Sequence, residues 1–131
     1  MKLLAINDVY LPPKCMQEGL ACLASMGIEV EVRDWEHPTL VALQEANLEI
    51  ENGGPQAVPL PAKLTANLDQ FQILVVQFAP VSRQFMEAAS QLQVIAVLRA
   101  GTENVDVEYA TSRGITVMNN PGRNARAVAE C

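Results

Sequence analysis

The chain has 131 residues, 50% of them hydrophobic, which suffices for one compact domain with a substantial core and is too apolar for global disorder. Its formal net charge of −6 is spread without a block of like charges, which argues against a nucleic-acid or anionic-membrane surface but leaves room for local binding of small anions. No apolar run is long enough to span a bilayer, and Asn7 and Asp8 interrupt the apolar start too early for a signal peptide, so a cytoplasmic location is expected.

In chain order, Leu3 to Ile6 is an apolar run that reads as a first strand. Pro12 and Pro13 suit the first turn of a helix, along which Met16, Leu20 and Leu23 recur at helical spacing, and Gly27 is placed to stop it. Cys15 and Cys22 lie on this helix, whose geometry disfavours a disulfide between them; with Cys131 they read as buried, reduced thiols. Ile28 to Arg33 alternates apolar and charged residues, the mark of a strand with one wet face. His37 is the only histidine, lacks companions for a metal site, and beside Pro38 reads as a surface cap. A second helix is predicted over 38–50, closed by Asn52-Gly53-Gly54-Pro55. Leu60, Leu64 and Leu68 suggest a short helix after Pro61.

Ile73 to Val76 and Val94 to Leu98 are continuous aliphatic runs, as expected of central strands covered on both faces. Between them, Ser82 to Ser90 reads as a helix with Phe85, Met86 and Ala89 turned inward. Asp106 is a good N-cap for a helix ending at Gly114, and Ile115 to Met118 reads as a fifth strand. Alternating strands and helices imply an α/β fold with a parallel sheet. If the second and fifth strands are half-exposed and the others enclosed, the order is 2-1-3-4-5. That order is the flavodoxin-like doubly wound five-stranded sheet, with its ligand crevice beyond the carboxyl ends of the strands at the switch point.

Known sites on this architecture fit unequally. The loop Asn7-Asp8-Val9-Tyr10-Leu11-Pro12 offers too few hydroxyls and amides to wrap a flavin phosphate. A phosphoacceptor receiver needs a carboxylate at the end of the third strand, where this chain has Val76-Gln77-Phe78-Ala79-Pro80. It also needs a lysine after the fifth strand, where this chain has Asn119-Asn120-Pro121. The fourth strand is more informative, because it runs into a turn containing Gly101. Successive backbone N–H groups in such a turn form a concave anion site. Gly101 taken alone is better explained as a tight strand-to-helix turn.

The ordered string Leu92-Gln93-Val94-Ile95-Ala96-Val97-Leu98-Arg99-Ala100-Gly101-Thr102-Glu103-Asn104-Val105-Asp106 resembles, without gaps, an element of the D-isomer-specific 2-hydroxyacid dehydrogenases. This is the family that includes phosphoglycerate dehydrogenase. Gly101 takes the second loop glycine and Asn104-Val105-Asp106 the family's Asn-Ile-Asp. Arg99 stands where the first glycine usually lies, and Glu103 replaces the usual aspartate. Ile115-Thr116-Val117-Met118-Asn119-Asn120-Pro121-Gly122-Arg123-Asn124, followed by Ala127-Val128-Ala129-Glu130, is similar to the family's approach to its interdomain helix.

The resemblance implies a substrate-binding domain over 1–120 and the start of an interdomain helix over 121–131, leading to a Rossmann domain that this chain does not contain. The flavodoxin-like sheet would be incomplete without a C-terminal return segment. The resemblance implies substrate contacts by the backbone amides of Ala100 and Gly101; Arg99, which departs from the family pattern, and Gln77 and Phe78 at the tip of the third strand are further candidate contacts. Arg99 has two readings, a ligand-facing guanidinium or a partner of Glu103. No catalytic, cofactor-binding or metal residue is expected here: the chain has no Gly-x-Gly-x-x-Gly, and the family's catalytic arginine, glutamate and histidine belong downstream. The parent protein would transfer hydride between a 2-hydroxy acid and NAD, with NADP left open, and would form a homo-oligomer. The fragment alone would be inactive. The alternative is a stand-alone flavodoxin-like binding or assembly module without catalysis.

Overall fold

A computed structural model describes residues 1–9, 13–99 and 101–119. Five strands form one parallel sheet: β1 (Lys2–Asn7), β2 (Glu29–Asp34), β3 (Ile73–Val76), β4 (Val94–Val97) and β5 (Thr116–Met118), in the order 2-1-3-4-5. The predicted order is therefore the observed one. It follows from burial: β1 lies between β2 and β3 and is buried along Leu3 to Asn7, whereas the edge strands β2 and β5 keep alternate residues exposed. The register sets Ile6 beside Val76, and Val76 beside Val97, so β1, β3 and β4 end level with one another. Their following loops rise from one rim of the sheet.

Side chains alternate between the two faces of β1. Leu4 and Ile6 join a large core with Leu74, Val76 and Ile95, covered by α2 (Leu40–Gly53), α3 (Arg83–Ala88) and α4 (Val107–Ser112) through Leu43, Ile50, Phe85, Met86 and Ala110. Leu3 and Ala5 face the other way into a small core with Val75 and Met16 of α1 (Pro13–Leu20). On that second face Val30, Val32, Ile73, Ala96 and Leu98 are only partly buried.

Four local expectations are corrected. The first helix does not run unchanged to Gly27; it tightens at Ala21 into a 3-10 turn, Ala21–Met26, which buries no residue and ends where Gly27 takes φ 81°. Cys22 lies on that turn and is exposed rather than buried. In a 3-10 turn residues three apart eclipse, so Leu20 and Leu23 share the inward side and Cys22 is turned away. Cys15's side chain and Cys131 lie outside the described residues. His37 does not cap α2 either. Thr39 does, accepting a hydrogen bond from the Ala42 amide at 3.1 Å, while His37 sits edge-on to the buried Trp35 ring with centroids 4.4 Å apart.

The segment after α2 forms 3-10 turns at Pro55–Ala57, Ala62–Leu64 and Leu68–Gln70 rather than one short helix. Arg33 of β2 fixes it, donating to the carbonyl oxygens of Leu64 at 3.2 Å and Ala66 at 2.7 Å while its guanidinium lies over the Phe71 ring. The interdomain helix expected from 121 lies outside the described residues.

Candidate substrate site

The site is built where the loops after β3 and β4 meet. Each loop ends in a capped helix. Ser82 accepts from the Phe85 amide at 3.3 Å to start α3, and Asp106 accepts from the Tyr109 amide at 3.1 Å to start α4. Just before those caps the backbones pair: the Val81 amide donates to the Asn104 carbonyl at 2.7 Å, and the Asp106 amide to the Val81 carbonyl at 3.0 Å. Val81 and Val105 form a parallel bridge that extends the β3–β4 pairing beyond the sheet rim.

Asn104 completes the clasp. Its side chain is fully buried, and Nδ2 donates to the carbonyl oxygens of Ala79 at 2.9 Å and Gln77 at 3.4 Å. A buried carbonyl without a donor is costly, so the amide fixes the spacing of the two loops as well as stabilising them. Gln77 and Phe78 are half-buried at the tip of β3, and Arg99 stands opposite at the tip of β4.

Arg99 lies over the Phe78 ring, its guanidinium carbon 4.7 Å from the centroid. Its Nη2 is 3.3 Å from Glu103 Oε2 and 3.8 Å from Glu51 Oε1 on α2. The arginine side chain is 17% exposed, and the two carboxylate partners are about half exposed. Glu103's carboxylate packs against Gly101, in the space a β-carbon there would fill. Ala100 lies outside the described residues. The structure thus brings Gln77, Phe78, Arg99 and Gly101 to one rim, with the geometry of the Arg99–Glu103 pair that the sequence left as one of two choices.

Two contributors were not foreseen. Asn104 was legible only as a motif letter, although a carboxamide just ahead of a helix cap is a residue type suited to bridging loop carbonyls. Glu51 gave no signal, being 48 positions before Arg99. On the neighbouring rim, Asn7 Nδ2 donates to Asp34 Oδ1 at 2.7 Å, joining the tips of β1 and β2, and Asp8 beside it is buried. Surface grooves are also present away from this rim. One of about 490 Å3 runs between α1 and β2 along Leu20, Ala24, Val30 and Val32, on the second face of the sheet. Among the described residues, no helix is long and apolar enough to cross a membrane, and no group of three or more His, Cys, Asp or Glu could hold a metal.

Comparison with known proteins places this geometry. Residues 17–131 match the family described as D-isomer specific 2-hydroxyacid dehydrogenase, catalytic domain. The chain is 37% identical over 86 residues to D-3-phosphoglycerate dehydrogenase of Homo sapiens, covering 62% of the chain and 16% of that relative. It is 39% identical over 64 residues to hydroxypyruvate reductase of Thermotoga maritima, covering 48% of the chain and 21% of that protein. The crystal structure of NAD+-bound 3-phosphoglycerate dehydrogenase from Entamoeba histolytica shares the fold with a TM-score of 0.63 at 20% identity, over 99% of the chain and 36% of that protein. The chain therefore spans well under half the length of each of these relatives.

Proposed function

The chain belongs to the D-isomer specific 2-hydroxyacid dehydrogenase family, as its catalytic domain, and from that premise we propose that it is the substrate-binding part of an NAD-dependent enzyme, inactive by itself. The observation that carries this proposal is the clasped pair of loops at the carboxyl ends of β3 and β4. They hold Gly101, a half-buried aromatic ring and a guanidinium at one rim, next to the β1–β3 switch point where this sheet type binds ligands.

In this proposal the backbone N–H groups of Ala100 and Gly101 take the carboxylate of a 2-hydroxy or 2-oxo acid. Gln77 and Phe78 form the opposite wall. Asn104 holds the two walls at fixed spacing, and Arg99 limits what enters between them.

A dinucleotide does not fit the residues of this chain. The sequence contains no Gly-x-Gly-x-x-Gly, and the loop after β1 contains no glycine with which to approach a pyrophosphate. NAD binding and the hydride chemistry are accordingly assigned to parts of the protein outside these 131 residues. The interdomain helix from 121 would lead there. That the Entamoeba histolytica relative holds NAD+ supports NAD as the cofactor. The similarity to both a phosphoglycerate dehydrogenase and a hydroxypyruvate reductase supports a small 2-oxo acid without selecting one.

Titration distinguishes the proposal from a module without a substrate role. Pyruvate added to the isotope-labelled 131-residue chain is expected to shift amide signals at 77–78 and 101–104. NADH should give no saturable fluorescence change and no reduction of pyruvate. Micromolar NADH binding by the pure chain would overturn the division of labour between the two domains.

A further inference from the structure

We propose that Glu103 is a built-in competitor for the anion site of the β4–α4 loop, a role that presupposes the substrate-carboxylate reading of that loop. The chemistry is like for like. A carboxylate of the chain itself already lies against Gly101, where the incoming carboxylate of a 2-oxo acid would approach. The same carboxylate is 3.3 Å from Arg99 Nη2, the guanidinium that stands at this mouth.

Charge makes the competition effective. Arg99 carries +1 and meets two carboxylates, Glu103 and Glu51, so the formal sum at the mouth is 1 − 2 = −1. An arriving monoanion finds the arginine engaged and meets net repulsion, unless one carboxylate withdraws. Glu103 is the one able to do so. It sits at the turn Thr102–Val105, its side chain is 52% exposed, and its pairing with Arg99 is an exposed i,i+4 contact of the weakly held kind. Arg99 need not move, because the Phe78 ring keeps it in place when its partner leaves. A ligand with a second anionic group gains twice, by displacing Glu103 from the glycine and by inheriting Arg99.

The experiment compares pyruvate titrations of the labelled 131-residue chain and two variants, read at the Phe78 and Gly101 amides. Glu103→Gln keeps size and hydrogen bonding but removes the competing charge. Pyruvate should then bind about fivefold tighter, the factor that one unit charge at roughly 4 Å contributes in water. Glu51→Gln removes the same charge beside Arg99 without vacating Gly101, and should tighten binding by less than about twofold. Equal gains from the two variants would show a diffuse charge effect and overturn the competitor role. Unchanged affinity in Glu103→Gln, with shifts still centred on Phe78 and Gly101, would also overturn it while leaving the substrate reading intact. Absence of any shift at these residues in all three chains would overturn both.

Discussion

The two faces of the sheet are built to different standards. The first carries α2, α3 and α4 and a continuous core from Leu4 through Leu74 and Ile95 to Ile115. The second carries α1, and its fully buried members are Leu3, Ala5, Met16 and Val75. Both candidate loops lead directly into helices of the first face, α3 and α4, so the rim that holds Gly101 and Phe78 inherits the rigidity of the larger core. A site that must keep two loops within hydrogen-bond distance belongs where packing leaves no alternative arrangement.

If that contrast is real, truncation on the two faces should cost very different amounts. Phe85 is 5% exposed on α3, and Phe85→Ala should lower stability by about 3–5 kcal/mol in urea denaturation, through lost burial and the cavity left behind. Leu23, partly buried over the second face, should lose about 1 kcal/mol on the same substitution. Similar losses at the two positions would break the comparison.

The next effect separates the clasp from the core around it. Asn104→Ala strips the donor from the buried carbonyl of Ala79 and the half-buried one of Gln77, and should cost about 1–3 kcal/mol. Its signature is local. Faster amide exchange is expected at Val81 and Asp106, whose backbone bonds join the loops, with Ile95 in the middle of β4 unaffected. A loss below about 0.5 kcal/mol, the range of ordinary surface substitutions, would reduce the clasp to its backbone bonds.

The same contrast explains what the sequence disclosed. Strand β3, Ile73 to Val76, is recovered residue for residue, and Asp106 was legible as a cap because capping is local chemistry with a short list of competent side chains. Strand order was legible because enclosure writes itself into composition: β1, β3 and β4 read as solid apolar runs, and β2 alternates. The rim of the site was legible only as a string of letters. Backbone pairing of Val81 with Asn104, or the reach of Glu51 to Arg99, depends on which loops the fold brings together, and no spacing encodes that. On the second face the helical spacing of Met16, Leu20 and Leu23 was legible, and the structure packs all three into the small core. It did not disclose the tightening after Leu20, since spacings of three and four both suit an α-helix while three alone suits a 3-10 turn.

The smallest effect tests that last point, and with it how loosely the second face is finished. Cys22 is exposed on the 3-10 turn, so a thiol reagent should modify it in the native protein as fast as a free thiol, with peptide mapping to separate it from Cys15 and Cys131. Cys22→Ser should change stability by less than about 0.5 kcal/mol, because no buried contact is lost. The alternative is physically distinct. If the α-helix instead continued to Met26, Cys22 would lie 100° of helical rotation from Leu23 instead of 120°, closer to the sheet, and with Cys15 would join the apolar stripe. Its thiol would then be protected until global unfolding, and the serine hydroxyl would cost about 1–3 kcal/mol for burial without a partner. Rapid labelling with an unmoved denaturation midpoint therefore places the break in the helix at Leu20. Slow labelling would show the second face to be more fully packed than its partly buried valines suggest, and would narrow the difference between the two faces.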